Sequence, residues 1–171
     1  MDLLTLAKTI ADRVEIAASR AAVPVAVCVI DTHGNVILKH RMSGASAFSI
    51  ELSERKAYTS ALVGMRTTDL LPLVQPGQDL FPLMTVAGGR YCAMGGGAPV
   101  MQEGERVAGV GVSGGTVDQD VAILEAGLET RMCRRSRKGW HLRLHAERGR
   151  EMPTASGLIR WTGLPCCCRL K

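Results

Sequence analysis

Leu3, Ala7, Ile10, Val14, Ala17 and Ala21 recur at spacings of three and four, which places an apolar stripe on one face of an opening helix. Pro24 ends it, because proline cannot extend the hydrogen-bonded ladder. Val25 to Ile30 is a β-branched, nearly continuous apolar run, and Asp31-Thr32-His33-Gly34-Asn35 supplies turn chemistry before a second run, Val36 to Met42. The pattern predicts a β-hairpin. Period two then puts Val36, Leu38, His40 and Met42 on one face of the second strand and Lys39 and Arg41 on the other.

A second long helix is predicted from Ala47 to Met65, with Ile50, Ala57 and Ala61 on one face and Ser49, Ser53, Lys56 and Ser60 forming a separate polar line. Thr67-Thr68-Asp69 reads as the cap of a short apolar helix through Val74, and Pro76-Gly77 turns the chain into an irregular segment ending at Gly88-Gly89. Two more strands follow, Ala98 to Met101 and Arg106 to Val112, joined by Gln102-Glu103-Gly104-Glu105. The last helix opens on Thr116 with Gln119 three residues on, a capping-box pattern. Asp118 and Asp120 fall in its first turn, where the helix dipole favours them, and Val117, Val121, Leu124 and Leu128 are its expected buried face.

Ten of the 19 glycines lie between Gly88 and Gly115, which raises the question of a phosphate loop. Gly109, Gly111 and Gly114 match G-x-G-x-x-G, but the helix after them is not followed by a parallel strand carrying an acidic residue. Gly95-Gly96-Gly97 likewise precedes no Lys-Ser or Lys-Thr pair. Gly109 and Gly111 share one strand face, which clears room for another backbone or a flat ligand.

Charge divides the chain. Residues 1–130 carry ten basic and fourteen acidic side chains, a net of −4, whereas residues 131–171 carry eleven and two, a net of +9. The overall +5 therefore describes the C-terminal stretch, and the acidic remainder offers no basic stripe for a nucleic-acid backbone. Apolar runs are too short to span a bilayer, and Cys28 and Cys92 stand apart with no C-x-x-C pair. Free thiols and the absence of a secretory pattern point to the cytoplasm.

The Ser113-Gly114-Gly115 turn into a helix N-terminus is a candidate anion site, with Lys56 and Arg41 able to complete it around a carboxylate or phosphate. Four motifs occur in order: Arg41-Met42-Ser43-Gly44-Ala45, Lys56-Ala57-Tyr58-Thr59-Ser60-Ala61, Gly96-Gly97-Ala98-Pro99-Val100, and Gly111-Val112-Ser113-Gly114-Gly115 followed by Gln119-Asp120. Together they resemble the GlcG/HbpS family over nearly all of residues 1–131.

The resemblance implies an α/β domain of the α+β type, with an antiparallel sheet of about five strands flanked by helices, assembled as a homo-oligomer. It implies a pocket bordered by Lys56, Thr59, Gly97, Pro99, Ser113, Gly114 and Asp120. Ser43 stands where the family often has an acidic residue, and Val121 where a second polar residue is frequent; both bear on ligand choice. Relatives include haem-binding sensors or scavengers, the C-terminal domain of a corrinoid adenosyltransferase, and a glycolate-operon protein. Haem iron would need an imidazole or soft donor, and His40, His33 and several methionines are available.

Three functions are consistent with these residues. The first is a haem-binding or related small-molecule-binding oligomer in sensing, transport or support of a metabolic operon. The second is a small enzyme on a hydroxy acid or aldehyde-derived metabolite, with Lys56 and the Ser113 turn holding its carboxylate. The third is an accessory subunit of a metabolic enzyme. Residues 132–171, with eight arginines, both tryptophans and Cys166-Cys167-Cys168, read as a basic extension outside the fold, either disordered or the product of a shifted reading frame.

Overall fold

The computed structural model describes residues 2–129. Along them run helix α1 (Leu3–Ala21), strands β1 (Ala26–Asp31) and β2 (Val36–Arg41), helix α2 (Ala47–Val63) and the short helix α3 (Thr67–Leu70). Two 3-10 segments, Leu71–Val74 and Phe81–Gly88, lead to strands β3 (Gly97–Gln102) and β4 (Glu105–Ser113) and to helix α4 (Val117–Leu128). The basic stretch 132–171, and with it the expectation of an appendage, lies outside the described residues.

All strand pairings are antiparallel, in the order β2-β1-β4-β3, so the domain is of the α+β class. The described sheet has four strands rather than about five. The two hairpins, β1–β2 and β3–β4, meet through β1 and β4, with Cys28 opposite Gly111 and Ile30 opposite Gly109. β2 and β3 are the edges. Pro99 sits on β3, where its missing N–H costs no ladder bond in a sheet interior.

Central strand β1 is buried on both faces, and that explains its unbroken apolar run. Val25, Val27 and Val29 join Ala108, Val110 and Val112 of β4 against Ala7, Ile10, Ala11 and Val14 of α1 and Ile123 and Leu124 of α4. Each of these valine, leucine and isoleucine side chains contributes about 1.5–3 kcal/mol when removed from water. Cys28 and Ile30 face the other way, onto Ala57 and Ala61 of α2.

Helix α2 lies on β4 at backbone distance. A Cβ added at Gly111 would sit 2.1 Å from the Ser53 carbonyl oxygen, and one at Gly109 would sit 2.4 Å from that of Ala57. The glycine face of β4 therefore admits another backbone, that of α2, and no flat ligand.

Several side chains fall differently from the periodicity. Ser49, Ser53, Lys56 and Ser60, expected as a line separate from the apolar face, are themselves buried, since the glycine strip of β4 draws that side of α2 inward. On α4 the buried side is Asp120, Ile123, Leu124 and Gly127, while Val117 is 44% exposed. Thr67 is not a cap: Arg66 occupies that position without a side-chain bond. The Thr67 hydroxyl oxygen instead accepts the Gly97 N–H at 2.9 Å, fastening α3 to the start of β3.

Candidate functional site

Lys56 projects from α2 into the interior with no exposed surface. Its Nζ donates to Asp120 Oδ2 at 2.7 Å and to the Val112 carbonyl at 2.9 Å. Asp120 Oδ1 accepts the Gly115 N–H at 2.9 Å, so one carboxylate ties helix α2 to the turn that opens α4. Gly96, at φ +107°, passes this pair closely; a Cβ there would lie 3.0 Å from Lys56 Nζ and 2.8 Å from the Val112 oxygen. Only glycine serves there, for its conformation and for its size.

In this protomer Lys56 and the Ser113-Gly114-Gly115 turn, the expected anion site, are engaged by the chain's own groups. Three N–H groups at the start of α4, those of Gly115, Thr116 and Gln119, already have partners within the chain. Asp120 takes the Gly115 N–H, and Thr116 and Gln119 form the reciprocal capping box at 3.3 and 2.9 Å. An external carboxylate would have to displace Asp120 and enter a closed interior, at the cost of leaving a buried charge unpaired. Lys56 thus fastens α2 to α4 in this protomer.

The remaining expected pocket residues are likewise tied into the scaffold. Thr59 donates to the Arg55 carbonyl at 2.8 Å and accepts the Cys92 N–H at 2.8 Å. Gly97 is held by Thr67, and Ser113 ends β4 at 4% exposure. Gly114 is exposed, but a Cβ added there would lie 2.3 Å from the Pro24 carbonyl oxygen. Arg41 is exposed on edge strand β2, and Pro99 is half-buried. The structure brings Lys56, Asp120, Gly97 and Ser113 together around Gly96 and Val112, and leaves Arg41 apart from them.

The two histidines are also placed. His33 is exposed in the β1–β2 turn, where Asp31 accepts the His33 and Asn35 backbone N–H groups at 2.8 and 2.9 Å. His40 was expected on an apolar face, but its side chain is 51% exposed, because β2 is an edge and only Leu38 on that face is covered. His40 Nδ1 lies 3.0 Å from Glu15 Oε1 of α1, which leaves Nε2 free.

Open space lies elsewhere. An apolar groove of about 360 Å³ is lined by Leu71, Val74, Met84, Tyr91, Cys92 and Met94, among others, with Arg55 at one end. A polar cleft of about 380 Å³ also includes Arg55, with Lys39, Glu51, Glu54 and Arg90. Across the sheet, a broader hollow of about 640 Å³ runs along α1, lined by Asp12, Glu15, Ile16, Ser19, Arg20 and Met42. Sequence reasoning missed the first two. Their one visible signal was the irregular apolar stretch from Leu71 to Met94, whose Leu71, Phe81, Val86 and Met94 remain 45–50% exposed.

The polar cleft is electrostatically set. Lys39 holds Glu54 at 2.6 Å and Arg90 reaches it at 3.3 Å; the Lys39 hydrogen bond keeps the Glu54 carboxyl below its ordinary range. Burial pushes the neighbouring Cys28 thiol up to about 12, so Cys28 is an inert core residue.

A four-stranded antiparallel sheet between α1/α4 and α2, closed by glycine-on-helix packing, defines an HbpS-like domain. The chain belongs to that family: the model described as "Haem degrading protein HbpS-like" matches residues 3–129. It is 40% identical over 126 residues to a Citrobacter freundii protein described as an uncharacterized 15.0 kDa protein in the dhaT-dhaS intergenic region, covering 74% of this chain and 89% of that one. It is 35% identical over 111 residues to the corrinoid adenosyltransferase PduO of Salmonella typhimurium, covering 65% of this chain but 33% of that protein. Among solved structures, Klebsiella pneumoniae ORFY superimposes with a TM-score of 0.71 at 35% identity, covering 74% of this chain and 88% of ORFY. The PduOC:heme complex gives 0.70 at 31%, covering 75% and 92%.

Proposed function

We propose that this protein binds haem, as an assembly of more than one copy, in the cytoplasm and in support of a metabolic operon. The observation that carries the reading is the apolar groove beside Met84, Tyr91 and Met94 in a chain 31% identical to a domain solved as a haem complex.

The residues fit the group. Haem needs an apolar slot, a donor for its iron and partners for its carboxylates. The groove supplies the slot, with thioether, phenol and thiol groups from Met84, Met94, Tyr91 and Cys92 on its walls; His40 and His33 supply imidazoles outside it. When bound, haem supplies an iron centre that can sense or exchange a small ligand. The chain's own part is to exclude water with Leu71 and Val74 and to fix the groove wall through the Thr59–Cys92 hydrogen bond. The operon part of the reading is supported by the relatives, one in a dhaT-dhaS intergenic region and one a corrinoid adenosyltransferase. No described helix is long and apolar enough to cross a membrane.

The test is a visible absorption titration of the full chain with haemin, repeated with His40→Ala and His33→Ala, alongside light scattering for oligomeric state. A saturable Soret shift at one haemin per chain is expected. A featureless, non-saturating titration would sink the reading, leaving the accessory-subunit role to be tested by co-purification.

A further inference from the structure

The apolar groove and the polar cleft share Arg55, and the segment from Met84 to Met94 walls both. Adjacent residues divide between them: Arg90 and Gly88 line the polar side, Tyr91 and Met84 the apolar side. Tyr58 and Tyr91 pack at 5.5 Å, and the Arg90 guanidinium lies 4.0 Å from the Tyr58 ring centre. Arg90 and Tyr91, neighbours in the chain and both packed on Tyr58, thus line the charged and the oily compartment respectively. Ala87 holds φ +52° without being glycine, followed by Gly88 at +65° and Gly89 at +74°. That strained turn, capped by Arg55 Nη1 on the Gly89 carbonyl at 2.7 Å, keeps the wall facing both ways.

Charge decides what the pair of clefts accepts. Lys39, Arg55 and Arg90 meet only Glu51 and Glu54 in the polar cleft, leaving one positive charge in excess. Lys39 and Arg90 each make one bond, both to Glu54, at 2.6 and 3.3 Å, and Arg90, with five N–H groups and the longer bond, has the most donors to spare. The hollow near His40 has the opposite balance, with Asp12 and Glu15 against Arg20, and lies on the other face of the sheet, since Lys39 and His40 alternate along β2.

We propose that the two clefts are one amphipathic site, in which the groove takes the flat apolar body of a tetrapyrrole and the polar cleft takes its carboxylate arms, read by Arg90. The assignment rests on the haem reading above and adds to it the place and the residue. It makes His40 a bystander.

The full chain is titrated with haemin and, separately, with haemin dimethyl ester, whose carboxylates are blocked. Arg90→Ala should weaken haemin about fivefold, the size of one partly exposed ion pair, and leave the ester unchanged. Leu71→Glu, which sets a charge at the groove mouth on a half-exposed position, should weaken both, and His40→Ala neither. If the native chain binds haemin but neither Arg90→Ala nor Leu71→Glu alters it, the site is elsewhere and this assignment is overturned while haem binding stands. If the native chain binds neither compound, the haem reading itself fails and takes this assignment with it.

Discussion

Lys56 of α2 and Asp120 of α4 meet at 2.7 Å with side-chain exposures of 0% and 3%, although 64 positions separate them in the chain. Two charges hidden this completely must be partnered, and here the backbone adds the Val112 carbonyl to one and the Gly115 N–H to the other. The pair is a fastening of the fold, and four consequences of the structure can be measured.

Removing one member strands the other. Asp120→Ala and Lys56→Ala should each lower stability by about 3–5 kcal/mol, read from urea midpoints. Lys56→Ala combined with Asp120→Ala should lose less than the two single changes together, because no buried charge is left over. Additive losses in that cycle would show that the charges do not interact.

Glycines divide by what surrounds them. Gly111→Ala drives a methyl group into the Ser53 carbonyl, and the separation of α2 from β4 that follows should cost several kcal/mol, of the order of overpacking a core (about 1–3 kcal/mol or more). Gly104, at φ +85° with nothing within 4 Å, should lose only about 1 kcal/mol on change to alanine, from backbone strain. Equal losses at the two positions would contradict the packing described.

Cys28 should resist thiol reagents. With burial lifting its thiol to about 12, the thiolate fraction at pH 8 is about one in ten thousand. Peptide mapping after iodoacetamide treatment of the native chain should find Cys28 unmodified, and after denaturation modified. Native labelling at Cys28 would mean that β1 is not the buried central strand.

Acid stability should depend on Glu54. Its carboxyl is held below the ordinary range, first by the Lys39 hydrogen bond, so the folded state releases this proton more readily than the unfolded chain. Stability from Glu54 is therefore present above the unfolded carboxyl range and lost as pH falls through the lower folded value. Glu54→Gln should flatten the acid limb of a stability-against-pH curve and leave its shape above pH 6 unaltered.

The hairpins, the α1 stripe and the Thr116 capping box were legible because each is encoded within a few residues. The Lys56 and Asp120 motifs were legible too, as members of a family pattern, but their job was not. A lysine among hydroxyls reads as a ligand holder until Asp120 is seen to occupy it. His40 shows the same limit: alternation assigns its face, but only the sheet order reveals that β2 is an edge left largely uncovered.

Local chemistry alone thus determined the two hairpins, the opening and closing helices and which strand is apolar throughout, while the α+β class was legible through the family resemblance. The tertiary structure decided that the glycine strip of β4 accepts α2, that Asp120 meets Lys56, and that open space lies along Leu71–Met94. Those three depend on contacts between segments tens of residues apart, and neither turn propensity nor hydrophobic period carries information over that separation.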